Sequence, residues 1–406
     1  MTKYTKIHDK YYDLTKFKHP GGDTAIWEAY GRDATTLFES YHPFINKEKM
    51  KLILKKYEID DPGNIESDIE FDYETEFSRE IKQEVCNYFK ENNINIFWDN
   101  DKKILVFILS LLKIFGLYFH FSGYYIACII EPFFSWLFGV NTFHDACHFS
   151  LSKNKTINKI FSYLSPELSQ PYDWYYQHNI GHHVHTNIKD KDPDLYHRSN
   201  IRLTKKIKYK NIYKNQILKI PLIWSFTYIG LLFIFPFELH INKLYNNCVK
   251  VYNKQSNNEL ILYISMKIYF ILAYIIYPYT QYNFLYATGY VLISRILLSL
   301  LFMINAELTH IHEECMNIDD DWYKHQVKTA YNHSIGSKIT TFFSGGLNYQ
   351  IEHHLFPGVN HCHHKNLQPI VEKVCNKHKI KYKSFRGYFD AFMSYCKYII
   401  KLGYPD

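Results

Sequence analysis

The sequence predicts a small α+β domain followed by an all-α integral membrane domain with about four transmembrane helices and a cytosolic cap rich in histidine. Three observations lead to this fold class. The first and last hundred residues are polar, whereas long apolar runs lie between them. Aromatic residues make up 18% of the chain, a fraction that suits a protein with two membrane interfaces to line. Histidines recur at three- and four-residue spacing, which places them on one face of a helix.

The charge distribution and the cysteines indicate which partners and which kinds of cysteine site the chain can have. The net charge is +7, but the clearest basic run, residues 202–214, lies beside an apolar segment. This position favours anionic lipid headgroups over nucleic acid, so we expect no nucleic-acid partner. The eight cysteines form no C-x-x-C pair and are thinly spread, which argues against a disulfide framework and a zinc knuckle.

Three regions are expected along the chain. Residues 1–62 form the small domain, residues 63–100 a linker with an amphipathic helix near 78–92, and residues 101–390 the membrane domain. The acidic stretch around Pro62 and Gly63 marks the linker. The first residues contain no apolar signal core, so the first domain is predicted to be cytosolic. An even number of spans would place both termini on that side.

The apolar runs define the predicted spans. Residues 104–140 are too long for one span of about 20 residues and predict a helical hairpin that turns near residues 120–123. Three further runs cover residues 217–237, 260–279 and 284–304. An even number of crossings is needed if the histidine clusters share one site, so one run does not span. Residues 217–237 are the choice, because Pro221 and Pro236 bracket them, and we expect this run to lie along the interface.

Charged residues interrupt the apolar runs, among them Lys113, Glu131 and Arg295. Glu131 could face the interior of the helix bundle or lie near an interface, and Arg295 must either snorkel or pair.

The N-terminal region carries a pattern typical of a haem site. His19 opens the sequence HPGG, and His42 follows 23 residues later, so that two imidazoles can approach a haem iron from opposite faces. A haem with two nitrogen ligands passes electrons rather than binding oxygen. KYYDLTKFKHPGG with its downstream histidine resembles the cytochrome b5 family. The resemblance implies haem b, with His19 and His42 as axial ligands.

Three further clusters offer nitrogen ligands at helical spacing. Seven histidines and one glutamine exceed the four ligands of a zinc ion and suit two metals, although imidazole alone does not settle which metal. The clusters are His144 and His148; His178, His182 and His183; and Gln350, His353 and His354.

The clusters resemble those of the membrane fatty acid desaturases and their hydroxylase relatives. Gln350 at the head of the last cluster and the fused b5-like domain are similar to the front-end subgroup. The resemblance implies a di-iron centre held by the seven histidines, with Gln350 as a ligand or as a hydrogen-bond partner of one. It also implies a further histidine after the last span, for which His310 is the choice and His312 the alternative. Asp145, Asp192, Asp194 and Glu352 are candidate partners for ligand nitrogens.

The resemblance implies O2-dependent insertion of a double bond between an existing one and the carboxyl end of a polyunsaturated fatty acid. The substrate would be an acyl lipid or acyl-CoA. Electrons would come from NADH-cytochrome b5 reductase through the chain's own haem, since the sequence has no nicotinamide-binding glycine fingerprint. The endoplasmic reticulum membrane is the expected location.

Regioselectivity and reaction outcome stay open at this stage. Three residues separate His178 from His182, a spacing similar to that of delta-5 desaturases of fungi and amoebae, which favours delta-5 chemistry on a C20 chain. Delta-6 or delta-4 acyl and delta-8 sphingolipid long-chain-base desaturation are alternatives, as is a related di-iron hydroxylase. A non-enzymatic haem or metal carrier is a third class.

Seven other histidines have no spacing that ties them to the clusters. They are His185, His197, His325, His333, His361, His363 and His364. The HCHH run at 361–364 is expected to be an interface segment without a ligand role.

Overall fold

The computed structural model describes residues 3–196 and 200–405, so His197 lies outside the described residues. Two parts follow one another along the chain, a small domain with a sheet and a larger helical domain. The predicted fold class is confirmed.

The N-terminal domain is built on a three-stranded antiparallel sheet in the order β1-β2-β3. Its strands are Tyr4–Ile7 (β1), Lys10–Asp13 (β2) and Glu58–Ile59 (β3), and its helices are Asp23–Trp27 (α1), Thr35–Tyr41 (α2) and Lys47–Leu54 (α3). A compact apolar core, which includes Ile7, Tyr12, Ile26 and Leu54, joins the sheet to the helices.

The segment after this domain leads into one long amphipathic helix. Helix α4 spans Glu76–Glu91, and its N-cap Thr75 accepts a hydrogen bond from the backbone N–H of Ser78. Phe77, Ile81 and Val85 recur on its buried face. They pack with residues of the C-terminal region in one core, so α4 ties the linker to the C-terminal part of the helical domain.

A helical hairpin opens the membrane domain. Helix α5 spans Asn100–Phe121 and α6 spans Ala127–Phe138, with a short turn between them. Asp99 caps α5 by accepting a hydrogen bond from the backbone N–H of Lys102 at 2.7 Å. Gly116 lets the helices approach closely, because a Cβ there would lie 3.3 Å from the Glu131 backbone.

Within the described residues, three helices are long and apolar enough to cross a membrane. They are Asn100–Phe121, Asn257–Gln281 and Phe284–Glu307. The second comprises Asn257–Phe270, a π-helical stretch at Ile271–Ile276 and Pro278–Gln281, and the third is a single α-helix. A pair of helices, Gln216–Ser225 and Thr227–Asn242, passes the same test jointly but bends by 51° at its break. Which apolar run does not span stays a prediction.

Buried ion pairs join the membrane helices. Arg295 Nη2 donates to Glu131 Oε2 at 2.9 Å, and both side chains are 1% exposed. Lys113 of α5 pairs with Glu167, which lies in the turn before the short helix Pro171–Trp174. Arg295 therefore pairs rather than snorkels, and Glu131 faces the interior of the bundle.

Short helices before, between and after the long apolar helices form the cap of the helical domain. Before the bent pair lie His144–Cys147, Lys155–Tyr163, Pro171–Trp174 and His183–His185, together with π-helical Gly139–Phe143 and Tyr175–His182. The bent pair leads into a two-stranded sheet of Leu244–Tyr245 and Val249–Lys250. After the last span lie Trp322–Thr329, Lys338–Ser344, Gln350–Leu355, His364–Lys377 and Tyr388–Leu402, and strands Asn332–His333 and Ser384–Phe385 pair in parallel.

Candidate metal centre and haem site

The first histidine cluster lies at the end of the hairpin. Helix α6 continues through π-helical Gly139–Phe143 into His144–Cys147, and His148 caps this helix. His144 and His148 are both buried, and their ring centroids are 4.6 Å apart. The apolar helix therefore positions two imidazoles at its C-terminal end.

The second cluster lies on a wide helical turn. Tyr175–His182 is π-helical, and His183 begins the short α-helix that follows. A π-helix bonds each residue to the fifth along, so His178 and His183 lie over one another with ring centroids 4.5 Å apart. All three residues between His178 and His182 lie within this π-helical turn.

A pair of glycines sets the approach to the third cluster. Gly345 has φ +59° and Gly346 has φ +82°, a region that favours glycine. A Cβ at Gly345 would lie 1.9 Å from Val140, and one at Gly346 would lie 2.8 Å from His361. The glycines thus let helix Gln350–Leu355 pack against the first cluster.

The three clusters converge on two neighbouring positions. Ligand atoms of each group lie within 4.8 Å of one another: one group is His144, His148, His178 and His353, and the other is His182, His310 and His354. His183 lies between the groups, with its ring centroid 4.5 Å from that of His178 and 4.3 Å from that of His354. The donor set is nitrogen-rich and fully buried, and it fits two metal ions rather than one.

Several ring nitrogens in these groups point at no protein partner. Nε2 of His148, His353 and His354 is buried and makes no hydrogen bond within the described residues. Nε2 of His178 lies 3.2 Å from Nε2 of both His144 and His183. Buried polar atoms are normally satisfied, so this convergence of nitrogen lone pairs is typical of a metal site.

The two candidates after the last span differ in what their nitrogens do. His310 Nδ1 donates to the Thr329 carbonyl at 3.0 Å, and its Nε2 lies 2.8 Å from the Gln350 amide. His312 is turned away: Nε2 contacts the Leu308 carbonyl at 2.7 Å and Nδ1 contacts Ser394 Oγ at 3.1 Å. The geometry favours His310 over His312 and brings Gln350 to the second group.

Outer partners fix the orientation of several clustered histidines. His182 Nδ1 lies 3.2 Å from both oxygens of Asp192 and 3.4 Å from Asp194 Oδ2. His354 Nδ1 lies 2.9 Å from Gln326 Oε1, and His148 Nδ1 lies 2.9 Å from Tyr41 Oη. Such partners select the ring nitrogen that meets a metal and raise its basicity.

Two of the proposed carboxylate partners have other roles. Asp145 accepts from His361 at 2.8 Å and pairs with Lys102 at 3.2 Å, while its distance to His144 Nδ1 is 4.0 Å. Glu352 accepts from Asn332 and Tyr382, each at 2.7 Å. Both carboxylates therefore stabilise the segments that carry ligands rather than the ligands themselves.

The electrostatics keep the clustered imidazoles neutral, with one exception. Burial, together with His182, lowers the pKa of His310 to about 3. Burial also acts on His182, but Asp192 and Asp194 outweigh it and raise the pKa of His182 to about 9. Because Asp192 uses Nδ1, a metal can replace the proton on Nε2 without breaking that contact.

The HCHH segment does not form an interface. His361, His363 and His364 are all buried, and the ring centroid of His364 lies 5.9 Å from that of His353. The expectation of an interface segment is wrong, because the turn after Pro357 folds back under the first cluster, where Asn360 donates to Asp145 at 3.0 Å.

The haem ligands predicted from sequence face each other in the N-terminal domain. The rings of His19 and His42 have centroids 5.8 Å apart at 87°. His42 Nδ1 donates to the Phe38 carbonyl, which leaves its Nε2 for iron, and His19 Nδ1 lies 3.1 Å from the backbone nitrogen of Gly21 in the HPGG turn. Burial and the neighbouring His42 lower the pKa of His19 to about 4, so the imidazole is neutral and can bind haem iron. The residues fit a haem with two axial histidines.

An apolar-walled cleft adjoins the histidine groups. Its walls include Trp136, Val140, Leu168 and Phe302, and its metal-facing end includes His144, His178 and Gln350. An apolar cleft that ends at clustered imidazoles suits a hydrocarbon chain brought to a metal.

Comparison with known proteins agrees with both sites. The fatty acid desaturase family model matches residues 119–386, and the cytochrome b5-like heme/steroid binding domain matches residues 2–61. The chain is 29% identical to Delta(5) fatty acid desaturase A of Dictyostelium discoideum, over 98% of this chain and 90% of that protein. It is 30% identical to the probable Delta(5) fatty acid desaturase C of the same organism, over 97% and 90%. It is also 30% identical to the acyl-lipid (8-3)-desaturase of Mortierella alpina, over 98% and 94%.

Proposed function

Because the chain belongs to the fatty acid desaturase family and carries a cytochrome b5-like domain, we propose that it inserts the delta-5 double bond into a C20 polyunsaturated acyl chain. The family makes it a membrane-bound front-end desaturase that takes electrons through its haem and uses a di-iron centre. The observation that carries the site assignment is the convergence of buried imidazoles from three separate helices on two adjacent positions.

The proposed ligands divide between the two positions. One iron would be held by His144, His148, His178 and His353, and the other by His182, His310 and His354, with Gln350 beside it. His183 lies close enough to both groups to serve either. His19 and His42 would hold the haem.

The irons, the walls of the cleft and the partners of the clustered histidines have separate roles in the reaction. When bound, the irons supply the O2-dependent removal of hydrogen from an unactivated carbon, which no side chain can perform. The apolar walls at Trp136, Leu168 and Phe302 hold the chain and exclude water. Asp192 and Gln326 hold His182 and His354 in fixed orientations.

Delta-5 selectivity is supported by the relatives. Two of the Dictyostelium discoideum proteins carry Delta(5) in their names. Both align over nearly the whole of this chain, so the same spans and the same cap would frame the cleft. The haem domain is proposed to take its electrons from an NADH-cytochrome b5 reductase, with both termini and the cap on the cytosolic face of the endoplasmic reticulum.

The test is expression in yeast with C18 and C20 polyunsaturated acids supplied one at a time. Mass spectrometry of derivatised lipids locates each new double bond. We expect a new bond at carbon 5 of a C20 acid, and no product from His354→Ala, which removes a proposed ligand while leaving the haem domain intact. A bond at carbon 4, 6 or 8 would overturn the delta-5 assignment, and a hydroxylated product would move the chain to the related di-iron hydroxylases.

A further inference from the structure

One buried contact between the two domains joins Tyr41, the residue before the proposed haem ligand His42, to the proposed iron ligand His148. Tyr41 is the last residue of α2, and the next residue is His42. Its Oη lies 2.9 Å from Nδ1 of His148, and the two rings stack at 25° with centroids 6.4 Å apart. Nε2 of His148 has no protein partner within the described residues and points into the first histidine group.

We propose that Tyr41 is a positioning residue that couples the two redox sites: it orients His148 at the metal centre and links that ligand to His42 of the haem site. This inference rests on the proposed assignment of both ligand sets. The link consists of the His42 side chain, one peptide unit, the Tyr41 side chain and one hydrogen bond.

The hydrogen bond has a defined direction. A neutral imidazole that presents Nε2 to a metal carries its proton on Nδ1. His148 Nδ1–H therefore donates to Tyr41 Oη, and this contact fixes the ring in the orientation that faces the first group. Phenylalanine at position 41 would keep the ring stacking and remove only this acceptor.

The surrounding packing holds Tyr41 in place. Within α2, Thr36 Oγ1 lies 2.7 Å from the Tyr73 hydroxyl of the linker. Asn179, beside His178 in the second cluster, donates to Glu28 of the N-terminal domain at 3.1 Å. Gly358 leaves room for the ring, since a Cβ there would lie 3.4 Å from it. The domain is therefore docked over the metal centre by several buried contacts, and Tyr41 is the one that reaches a proposed ligand directly.

The consequence for electron transfer follows from this link. For each electron that crosses, the haem is oxidised by one electron and the metal centre is reduced by one, with no bond formed or broken. The path lies within one chain, so its efficiency depends on the docked geometry and not on protein concentration.

The test uses the full-length protein with haem and iron in lipid nanodiscs, as wild type, Tyr41→Phe and the control Tyr57→Phe. Tyr57 lies in the same domain and contacts Phe17 rather than a proposed iron ligand. In Tyr41→Phe we expect iron content, haem absorbance and haem potential to be retained. We expect reoxidation of the pre-reduced haem by O2 in the presence of substrate to slow by about tenfold, in the range seen when partners of metal ligands are removed.

A second readout is independent of turnover. The Mössbauer spectrum of the resting iron should change for one of the two sites in Tyr41→Phe and stay unchanged in Tyr57→Phe, because only the first variant frees the His148 ring. Unchanged reoxidation and an unchanged spectrum would overturn the proposal. If the rate of haem reoxidation in Tyr41→Phe fell only in proportion to lost iron, Tyr41 would act on metal retention alone. That result would also overturn the proposed coupling between haem and metal centre.

Direct reduction separates this inference from the proposed function. Dithionite with a small mediator supplies electrons to the metal centre without the haem, so single-turnover product from Tyr41→Phe should return to the wild-type yield. Failure of that rescue, with wild type active, would contradict the coupling role. Absence of product from wild type itself would instead contradict the proposed function, and the Mössbauer comparison would still decide the role of Tyr41.

Discussion

At the scale of the residue, the chemistry depends on which ring nitrogen each histidine presents. Asp192 and Gln326 each occupy Nδ1 of a clustered histidine and leave Nε2 for the metal. Asp192 also accepts from the backbone N–H of Asn187 at 2.7 Å, so one carboxylate fixes both the ligand and the loop that follows it.

Replacing Asp192 tests this outer contact. Asp192→Asn removes the negative charge beside His182 and retains the side-chain shape, so the imidazole becomes a weaker donor. We expect iron affinity to fall by about 10- to 100-fold, measured by competition with a chelator of known affinity. Asp190→Asn, on the same loop but 72% exposed at its side chain, should bind iron like wild type. Equal affinities for the two variants would contradict the role of Asp192.

The two histidines after the last span make a matched pair. His310→Ala should remove a ligand from the second group and lower iron content from two per chain towards one. His312→Ala removes hydrogen bonds to the Leu308 carbonyl and Ser394 but should keep both irons. Iron and protein are quantified on the same purified samples. Loss of iron in His312→Ala with retention in His310→Ala would reverse the assignment.

At the scale of the element, a buried ion pair connects two helices of the apolar bundle. Arg295 on the last span pairs with Glu131 on the hairpin, and both are buried. Breaking a buried pair from one side leaves an uncompensated charge, which costs more than removing both partners.

A double-mutant comparison tests this pair. Glu131→Gln or Arg295→Met alone should destabilise the protein by about 3–5 kcal/mol, and the combination Glu131→Gln with Arg295→Met should recover much of that loss. Thermal unfolding in detergent, followed by fluorescence, measures all three. Additive effects of the two single changes would show that the pair does not stabilise the helix contact.

The sequence predicts some elements well and others hardly at all. Helical spacing identifies His144, His182 and His353 as members of clusters, because it depends only on local geometry. Tyr41 and Gln326 carry no such signal, since their contacts with His148 and His354 arise from segments more than 25 residues away and depend on tertiary packing. The burial of the HCHH turn also depends on tertiary packing, so its sequence does not predict it.

At the scale of the whole molecule, buried contacts join the domain that carries the haem site to the domain that carries the histidine groups. The small domain contacts the second cluster through Glu28 and Asn179 and the first through Tyr41 and His148. The di-iron site draws its ligands from helices at both ends of the membrane domain, so metal binding should stabilise the entire fold.

Removal of iron tests that coupling. A ligand present at 100 times its Kd adds about 2.7 kcal/mol to the stability of the folded state. Chelation should therefore lower the thermal midpoint in detergent while the haem absorbance at room temperature stays constant, because His19 and His42 form a separate site. His354→Ala should begin at a lower midpoint and respond less to the chelator. An unchanged wild-type midpoint would contradict a stabilising role for the metal.

The π-helical turn at Tyr175–His182 also bears on how such a chain can change over generations. In a regular α-helix one inserted residue rotates everything downstream by about 100° and would sweep His182 and His183 away from the site. A widened turn confines the added residue to a local bulge and leaves the flanking segments in register. A single-codon insertion or deletion in this turn is therefore a small evolutionary step, able to shift the acyl chain relative to the irons without rebuilding the fold.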